Sequence, residues 1–302
     1  MLNALTIDLE DWYHPELVRH RLPTSRRKDS ETLTDRKRGE TSGEWKPQIE
    51  RCTLPLLDLL RERGIKATFF VVGEIAQHHP RLIAAIVAEG HELACHGMSH
   101  RPLWQMTPDE LRSELQEFAV TMSTVVPGVK VTGFRAPTFS LDNRTGWALG
   151  ILSEFGYRYD SSVFPVRTPV YGITNCPLAP YRPSSEDVST IDERGTLVEF
   201  PMSVWTLAGL RVPVCGGFYL RALPFRFVKF SLRQINQSRP FTIYVHPWET
   251  CPETPRLALP LPSRFVTYYN IGTMMHRLVE LLDAFSFAPM RTVLEEMGQL
   301  TG

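Results

Sequence analysis

Short apolar runs alternate along this chain with longer stretches in which leucines recur on one helical face. Residues 2–8, rich in Leu, Ile and Thr, predict a buried first strand that ends at Asp8. Over 50–63, Leu56, Leu57, Leu59 and Leu60 share a helix face, Gly64 supplies the stop, and 66–72 follows as a strand. The same order returns in 80–89 with 91–95, in 107–125 with 130–134, and in 143–155 with 157–159. Thr107-Pro108-Asp109-Glu110 opens one of these helices with a capping box and a proline at the first helical position. Between 165 and 224 the rhythm dissolves into an irregular segment punctuated by Pro and Gly, with short strand candidates such as 196–200. Helix 225–236 and strand 241–245 restore it, and 263–302 predicts a helical C-terminal extension with Leu278, Leu281 and Leu282 in the core. Such alternation predicts an α/β fold of parallel strands covered by helices, either a barrel or an open doubly wound sheet, as a single domain over 1–302.

One stretch departs from this pattern. Residues 19–46 hold nine Lys/Arg and five Asp/Glu, with Leu22, Leu33 and Trp45 as the sizeable apolar groups, and predict a charged, flexible insertion.

Composition narrows the function. With 302 residues, 43% of them hydrophobic, the chain can bury a full core. Thirty-three basic residues balance thirty-three acidic ones, which removes a global drive toward nucleic acid or anionic membrane. The longest apolar runs, 82–88 and 67–72, fall well short of the ~20 residues of a spanning helix, so no integral membrane segment is expected. The start, MLNALTIDLEDW, meets acidic residues at once and has no basic leader, which predicts a cytoplasmic protein. Five scattered cysteines without a CxxC pair predict free thiols.

The candidate chemistry sits where the predicted strands end. Asp8-Leu9-Glu10-Asp11 follows the first strand, His96-Gly97-Met98-Ser99-His100 the strand around Leu93, and Arg135-Ala136-Pro137-Thr138 the strand around Val131. Tyr159-Asp160-Ser161-Ser162 and His246-Pro247-Trp248-Glu249 follow two more. His96 and His100, four apart, would share a face if the segment turns helical, and a carboxylate would complete a two-His, one-carboxylate metal site. Cys95 should point to the opposite side and pack in the core.

Taken in order, the motifs DxED, HGMSH, RAPTFS, YDSS and HPWE resemble those of the polysaccharide deacetylase superfamily, also called NodB-homology or carbohydrate esterase family four. The variant forms look like a subgroup associated with exopolysaccharide gene clusters. The resemblance implies an irregular (β/α)7 barrel and metal-dependent removal of acetyl groups from an N-acetylated saccharide. By position, it makes Asp8 the general base, Arg135 the arginine that supports it, and His96 and His100 metal ligands. His246 becomes the acid that protonates the leaving amine, and Asp160 the carboxylate that holds this histidine. The family's second Asp, a metal ligand, is replaced by Leu9, so the third ligand moves to Glu10 or Asp11. Strand alternation favours Glu10, and a turn after Leu9 favours Asp11. The Tyr of the family's Arg-x-Pro-Tyr motif is Thr138 here, whose backbone N–H remains available to an oxyanion. Zinc is the expected metal, with cobalt and nickel also suited to this donor set.

Trp12, Tyr13, His14, Trp104 and Trp248 lie near these motifs and are candidates for a sugar-stacking wall, with core packing as the alternative. The segment 214–219, two glycines among aromatics, is a candidate lining of the groove. Two other functions fit the same motifs: an allantoinase-like hydrolase of a small cyclic amide, and a non-catalytic carbohydrate-binding member.

Overall fold

The computed structural model describes residues 1–22 and 47–300. Most of the charged insertion expected at 19–46 lies outside the described residues; Arg19 closes a short helix, Glu16–Arg19. Seven parallel strands form an incomplete barrel: β1 (Asn3–Leu9), β2 (Thr68–Val71), β3 (Glu92–Cys95), β4 (Gly133–Phe134), β5 (Tyr159–Asp160), β6 (Val198–Glu199) and, after a two-stranded antiparallel ribbon of β7 (Val204–Leu207) and β8 (Leu210–Pro213), β9 (Thr242–Val245). The spatial order is β9-β1-β2-β3-β4-β5-β6. Between β6 and β9 the wall is completed without a regular strand: Ser203 Oγ accepts from Thr242 N–H at 2.8 Å and Cys215 O accepts from Tyr244 N–H at 2.8 Å. Gly216 is required there, because an added Cβ would lie 2.2 Å from Tyr244 O.

Strand alternation divides the core in two. On β1, Leu5, Ile7 and Leu9 face the surrounding helices and join the large outer cluster, together with Phe69, Val71, Cys95 and Phe134. Cys95 is thus core packing, with its thiol pushed up to about 12 by burial. Ala4, Phe70, Ala94, Tyr159 and Val198 point inward and pack on Met290, Val293 and Leu294 of the last helix, Met290–Glu296. That helix plugs the N-terminal end of the barrel, so buried polar groups on the same inner face can emerge only at the C-terminal end, where Asp8 and Glu10 lie.

The element boundaries differ from the expectation in several places. The helix expected at 143–155 is regular only over Ala148–Glu154, because Asp142 and Thr145 cap a preceding turn. A helix at Gly73–His78 was not foreseen; its first residue packs so tightly on Met98 that an added Cβ would meet Sδ at 2.1 Å. The tail is more than a helical extension. Between helices Met274–Ala284 and Met290–Glu296 it returns β10 (Phe287–Ala288), which pairs in parallel with the start of β1.

Candidate active site

Backbone alternation at the end of β1 decides which acidic residues enter the barrel. Asp8 and Glu10 share the inner face and are almost fully buried. Glu10 Oε2 lies 2.6 Å from His100 Nε2, and Glu10, His96 and His100 each offer a donor atom within 4.8 Å of the others. Asp11 turns away. Its carboxylate accepts the backbone N–H groups of Trp12 (2.8 Å), Gln48 (2.8 Å) and Ile49 (3.1 Å), fastening the β1 end to the start of helix Ile49–Glu62. Burial raises its pKa to about 6. Of the two candidates for third ligand, the structure therefore brings Glu10 to the histidines and gives Asp11 a structural task.

The two histidines converge by a route other than the expected helical turn. Residues 96–100 form a loop in which Gly97 (φ 75°) and His100 (φ 56°) both adopt the left-handed region. Three neighbours hold this loop. Gly73 and Glu74 N–H donate to the Gly97 and Met98 carbonyls at 3.0 and 2.9 Å. Glu114 accepts from Met98 and Ser99 N–H, each at 2.9 Å, and from the Ser99 hydroxyl. Arg19 donates to the Ser99 and His100 carbonyls at 2.8 and 2.9 Å. His96 Nδ1 donates to Arg135 O at 2.8 Å, which leaves Nε2 as the lone-pair nitrogen. Burial lowers His96 to about 4 and His100 to about 3, so both are neutral imidazoles, the form that binds a metal. Two lone-pair nitrogens and a carboxylate within reach of one point are a donor set that fits a divalent transition metal.

Beside the cluster, Arg135 occupies the barrel axis with no exposure to solvent. Its Nη1 donates to Asp8 Oδ1 at 2.5 Å and to Thr6 Oγ1 at 2.9 Å, its Nε and Nη2 reach Ser161, and its guanidinium stacks on Phe70 at 4.0 Å. Burial alone would raise the Asp8 pKa, but the Arg135 charge, with that of His246, overcomes it and holds the carboxyl below its usual range. Asp8 is thus an ionised carboxylate in a desolvated site.

His246 follows β9 and points Nε2 at Glu10 Oε1 (3.3 Å) and Asp8 Oδ2 (3.9 Å). The residue that holds it is not Asp160. Its Nδ1 lies 2.7 Å from Glu249 Oε2, and Glu249 Oε1 accepts from Arg221 Nε at 2.8 Å. Burial would lower the His246 pKa, yet Glu10 and Glu249 raise it to about 9; burial would raise Glu249, yet Arg221 and His246 hold it near 2. Asp160 is committed elsewhere, accepting from Ser162 Oγ at 2.5 Å and facing Glu199. Asp160 thus faces Ser162 and Glu199 of β6 rather than His246. Glu249, although part of the HPWE motif, was given no role from the sequence, and Arg221, Glu114 and Arg19 were not singled out. The i,i+3 spacing of His246 and Glu249, which here forms a reciprocal capping box, was a local sign that was available for the first.

A cavity of about 450 Å³ opens over these groups, lined by Asp8, Glu10, His96, His100, Thr138 and His246 and walled by Leu17, Val170, Tyr171, Phe218, Tyr219, Trp248 and Val266. Thr138 (φ 59°) and Phe139 (φ 50°) line it in the left-handed region. Trp248 stacks on His246 at 5.5 Å and donates to Glu10 Oε1 at 3.3 Å, so it orients both besides forming wall. Trp12, Tyr13, His14 and Trp104 are not among the lining residues, whereas 217–219 are. Trp12 packs with Trp248 and Tyr268 in a separate apolar cluster, and His14 lies behind His100, ring centroids 5.5 Å apart.

The family model described as "Polysaccharide deacetylase" matches residues 45–159, and one described as "Domain of unknown function (DUF3473)" matches 161–295. A "Chitooligosaccharide deacetylase" of Bradyrhizobium sp. (strain ANU 289) is 37% identical over 86 residues, 28% of this chain and 39% of that relative's length. Residues 45–159 thus resemble the polysaccharide deacetylase family, and the chain spans well under half the length of the curated relatives it matches. Two solved structures share its fold over 99% of this chain and 92% of theirs, each with TM-score 0.57: a "putative polysaccharide deacetylase from Mycobacterium smegmatis" at 19% identity and "Puue Allantoinase" at 17%. The second half of the fold, matched by the model of unknown function, supplies His246, Glu249, Arg221 and the cavity wall from Val170 to Val266. No helix among the described residues is long and apolar enough to cross a membrane.

Proposed function

We propose that this protein is a metal-dependent hydrolase that removes N-acetyl groups from an N-acetylated amino sugar or polysaccharide. The observation that carries the reading is the Glu10, His96 and His100 donor set, with the Asp8 carboxylate and the His246 imidazole facing it in one cavity. A divalent metal held by these three residues, zinc by the nature of the donors with cobalt or nickel also suited, would polarise the amide carbonyl and acidify water. The chain's own groups perform the proton transfers. Asp8, kept ionised by Arg135, accepts a proton at Oδ2, the oxygen not bonded to the guanidinium. His246 presents Nε2 to the cavity while Glu249 holds its Nδ1, which orients it to protonate an amine leaving group. Thr138, which lines the cavity, would offer its backbone N–H to the oxyanion. The variant motifs favour an exopolysaccharide as substrate, handled in the cytoplasm.

Acetate release from N-acetylated chito-oligosaccharides by zinc-, cobalt- or nickel-loaded protein is the direct test. Metal-dependent acetate release, absent in Asp8→Asn, is the expected result. Bound metal with no acetate released would overturn the reading, and ring opening of allantoin by the same preparation would move the protein to the cyclic amides.

A further inference from the structure

The β7–β8 ribbon carries apolar side chains out to its tip. Across the pair Trp205 faces Val212 and Leu207 faces Leu210, so these four share one face of the ribbon. Leu207 and Leu210 are 48% and 72% exposed. Between them Ala208 (φ 48°) and Gly209 (φ 81°) turn in the left-handed region, where Asn or Asp is the usual residue before glycine. Ala208 forgoes that preference and keeps the tip free of polar side chains.

Helix Phe225–Ile235 continues the surface. It buries Val228, Ser231, Leu232 and Ile235, while Trp205 packs on Phe227 and Phe230 with ring centroids 5.5 and 5.6 Å apart. Phe230 stays 49% exposed. Arg226 and Arg233, four before and three after Phe230, stand on the same outward stripe of the helix and are both exposed. Neither has an acidic partner among the described residues, whereas Lys229 pairs with Glu280.

The sequence around this surface is one-sided in charge. From Phe200 to Trp248 there is no Asp or Glu against six Lys/Arg. Arg211, Arg221 and Arg239 are turned to backbone carbonyls or to Glu249, so the charge left unmatched is that of Arg226 and Arg233, beside the apolar tip. A chain of zero net charge therefore carries one local surface that is both apolar and cationic.

Charge separates the occupants that such a surface can take. A second copy seated on the same patch brings Arg226 and Arg233 against their own counterparts, which is repulsive. A nucleic acid rewards the arginines but leaves the leucines and Phe230 in water. An anionic bilayer rewards both groups: apolar side chains enter the acyl boundary while guanidinium groups stay among the phosphates. A two-leucine tip also needs no complementary pocket in a fluid bilayer.

We propose that the β7–β8 tip and the outward stripe of helix Phe225–Ile235 form a peripheral docking surface for a bilayer containing anionic phospholipid, with Leu207, Leu210 and Phe230 inserting and Arg226 and Arg233 contacting phosphate. None of these residues lines the cavity, so the test stands apart from the hydrolase reading. Co-sedimentation of the full chain with vesicles of phosphatidylglycerol and phosphatidylcholine in equal parts, and with phosphatidylcholine alone, reads it. Binding to the mixed vesicles should be about tenfold tighter than to phosphatidylcholine and should weaken as salt rises. Leu210→Asp, and Arg226→Gln combined with Arg233→Gln, should each weaken it about tenfold at unchanged unfolding midpoints, and Arg226→Lys combined with Arg233→Lys should keep it. No binding of the wild type to the mixed vesicles overturns the surface, as does wild-type binding in either the Leu210→Asp or the double Gln variant. Equal binding to both kinds of vesicle removes the arginines from the contact and with them the proposal. A dimer in sedimentation velocity that Leu210→Asp abolishes, without vesicle binding, overturns it in favour of a second copy.

Discussion

Glu249 holds His246 from only three residues away, Nδ1 and Oε2 lying 2.7 Å apart, and is itself fixed by Arg221. The buried carboxylate keeps the imidazole in one orientation with Nε2 toward the cavity. Replacing Glu249 by Gln removes the charge and half of the hydrogen-bonding capacity toward this pair. Turnover of Glu249→Gln is expected to fall about 10–100-fold while the metal content stays at the wild-type level. Asp160→Asn, by contrast, should not change the orientation of His246. Steady-state rates together with metal analysis check both, and an equal loss in Asp160→Asn would return the orienting role to that residue.

The ligand set makes a sharper distinction between neighbours. Glu10→Gln, His96→Ala and His100→Ala should each lose most of the metal affinity. Asp11→Asn should retain metal but lose stability by about 1–3 kcal/mol, because one of its oxygens accepts two backbone N–H groups and an amide nitrogen cannot. Metal titration and denaturant unfolding of the four variants decide it. Metal loss in Asp11→Asn at unchanged stability would contradict the geometry.

Glu114 acts at one remove. It satisfies the Met98 and Ser99 N–H groups of the His96-to-His100 loop, in which His100 sits at a positive φ that needs support. Glu114→Ala should weaken metal binding about 10–100-fold with no change in ligand identity. An undiminished metal affinity would show that Arg19 and the Gly73 and Glu74 amides suffice to hold the loop.

The proton-transfer groups should separate from the ligands by their effects. Asp8→Asn and His246→Ala are expected to keep the metal and lose about 10²–10⁴ in rate. Near wild-type turnover in either removes it from the reaction.

A fifth relationship concerns stability and pH. Burial raises the pKa of Asp160 and of Glu199, which lie against each other, and Glu199 stands well above its ordinary 4.5. The folded state therefore retains a proton that the unfolded chain releases. That contribution is fully present below about pH 4.5 and is lost as pH rises toward the folded-state value. Glu199→Gln mimics the protonated acid, so its stability should depend less on pH above 4.5 and exceed that of the wild type at the upper end of the range. Unfolding midpoints measured across pH would show parallel curves if the pair shares no proton.

Much of this protein was legible in the order of its residues. Periodicity sets where strands and helices alternate, and the polar residues after each predicted strand do gather at one end of a parallel barrel, because successive parallel strands present their C-terminal ends on the same side. Local spacing also placed Asp8 and Glu10 on one face of β1 and put the capping box at Thr107. What remained open depended on contacts between distant segments. Whether Glu10 or Asp11 meets the histidines follows from Gln48 and Ile49, whose free helix-end N–H groups claim Asp11. Whether Asp160 or Glu249 holds His246 follows from Ser162 and Glu199, which engage Asp160, and from Arg221, which fixes Glu249. His96 and His100 meet through a left-handed loop that needs Glu114 and Arg19 to hold it, a conformation without periodicity and hence without a pattern to read. Periodicity records which face of an element is buried, and only the packing of elements decides which buried polar groups become partners.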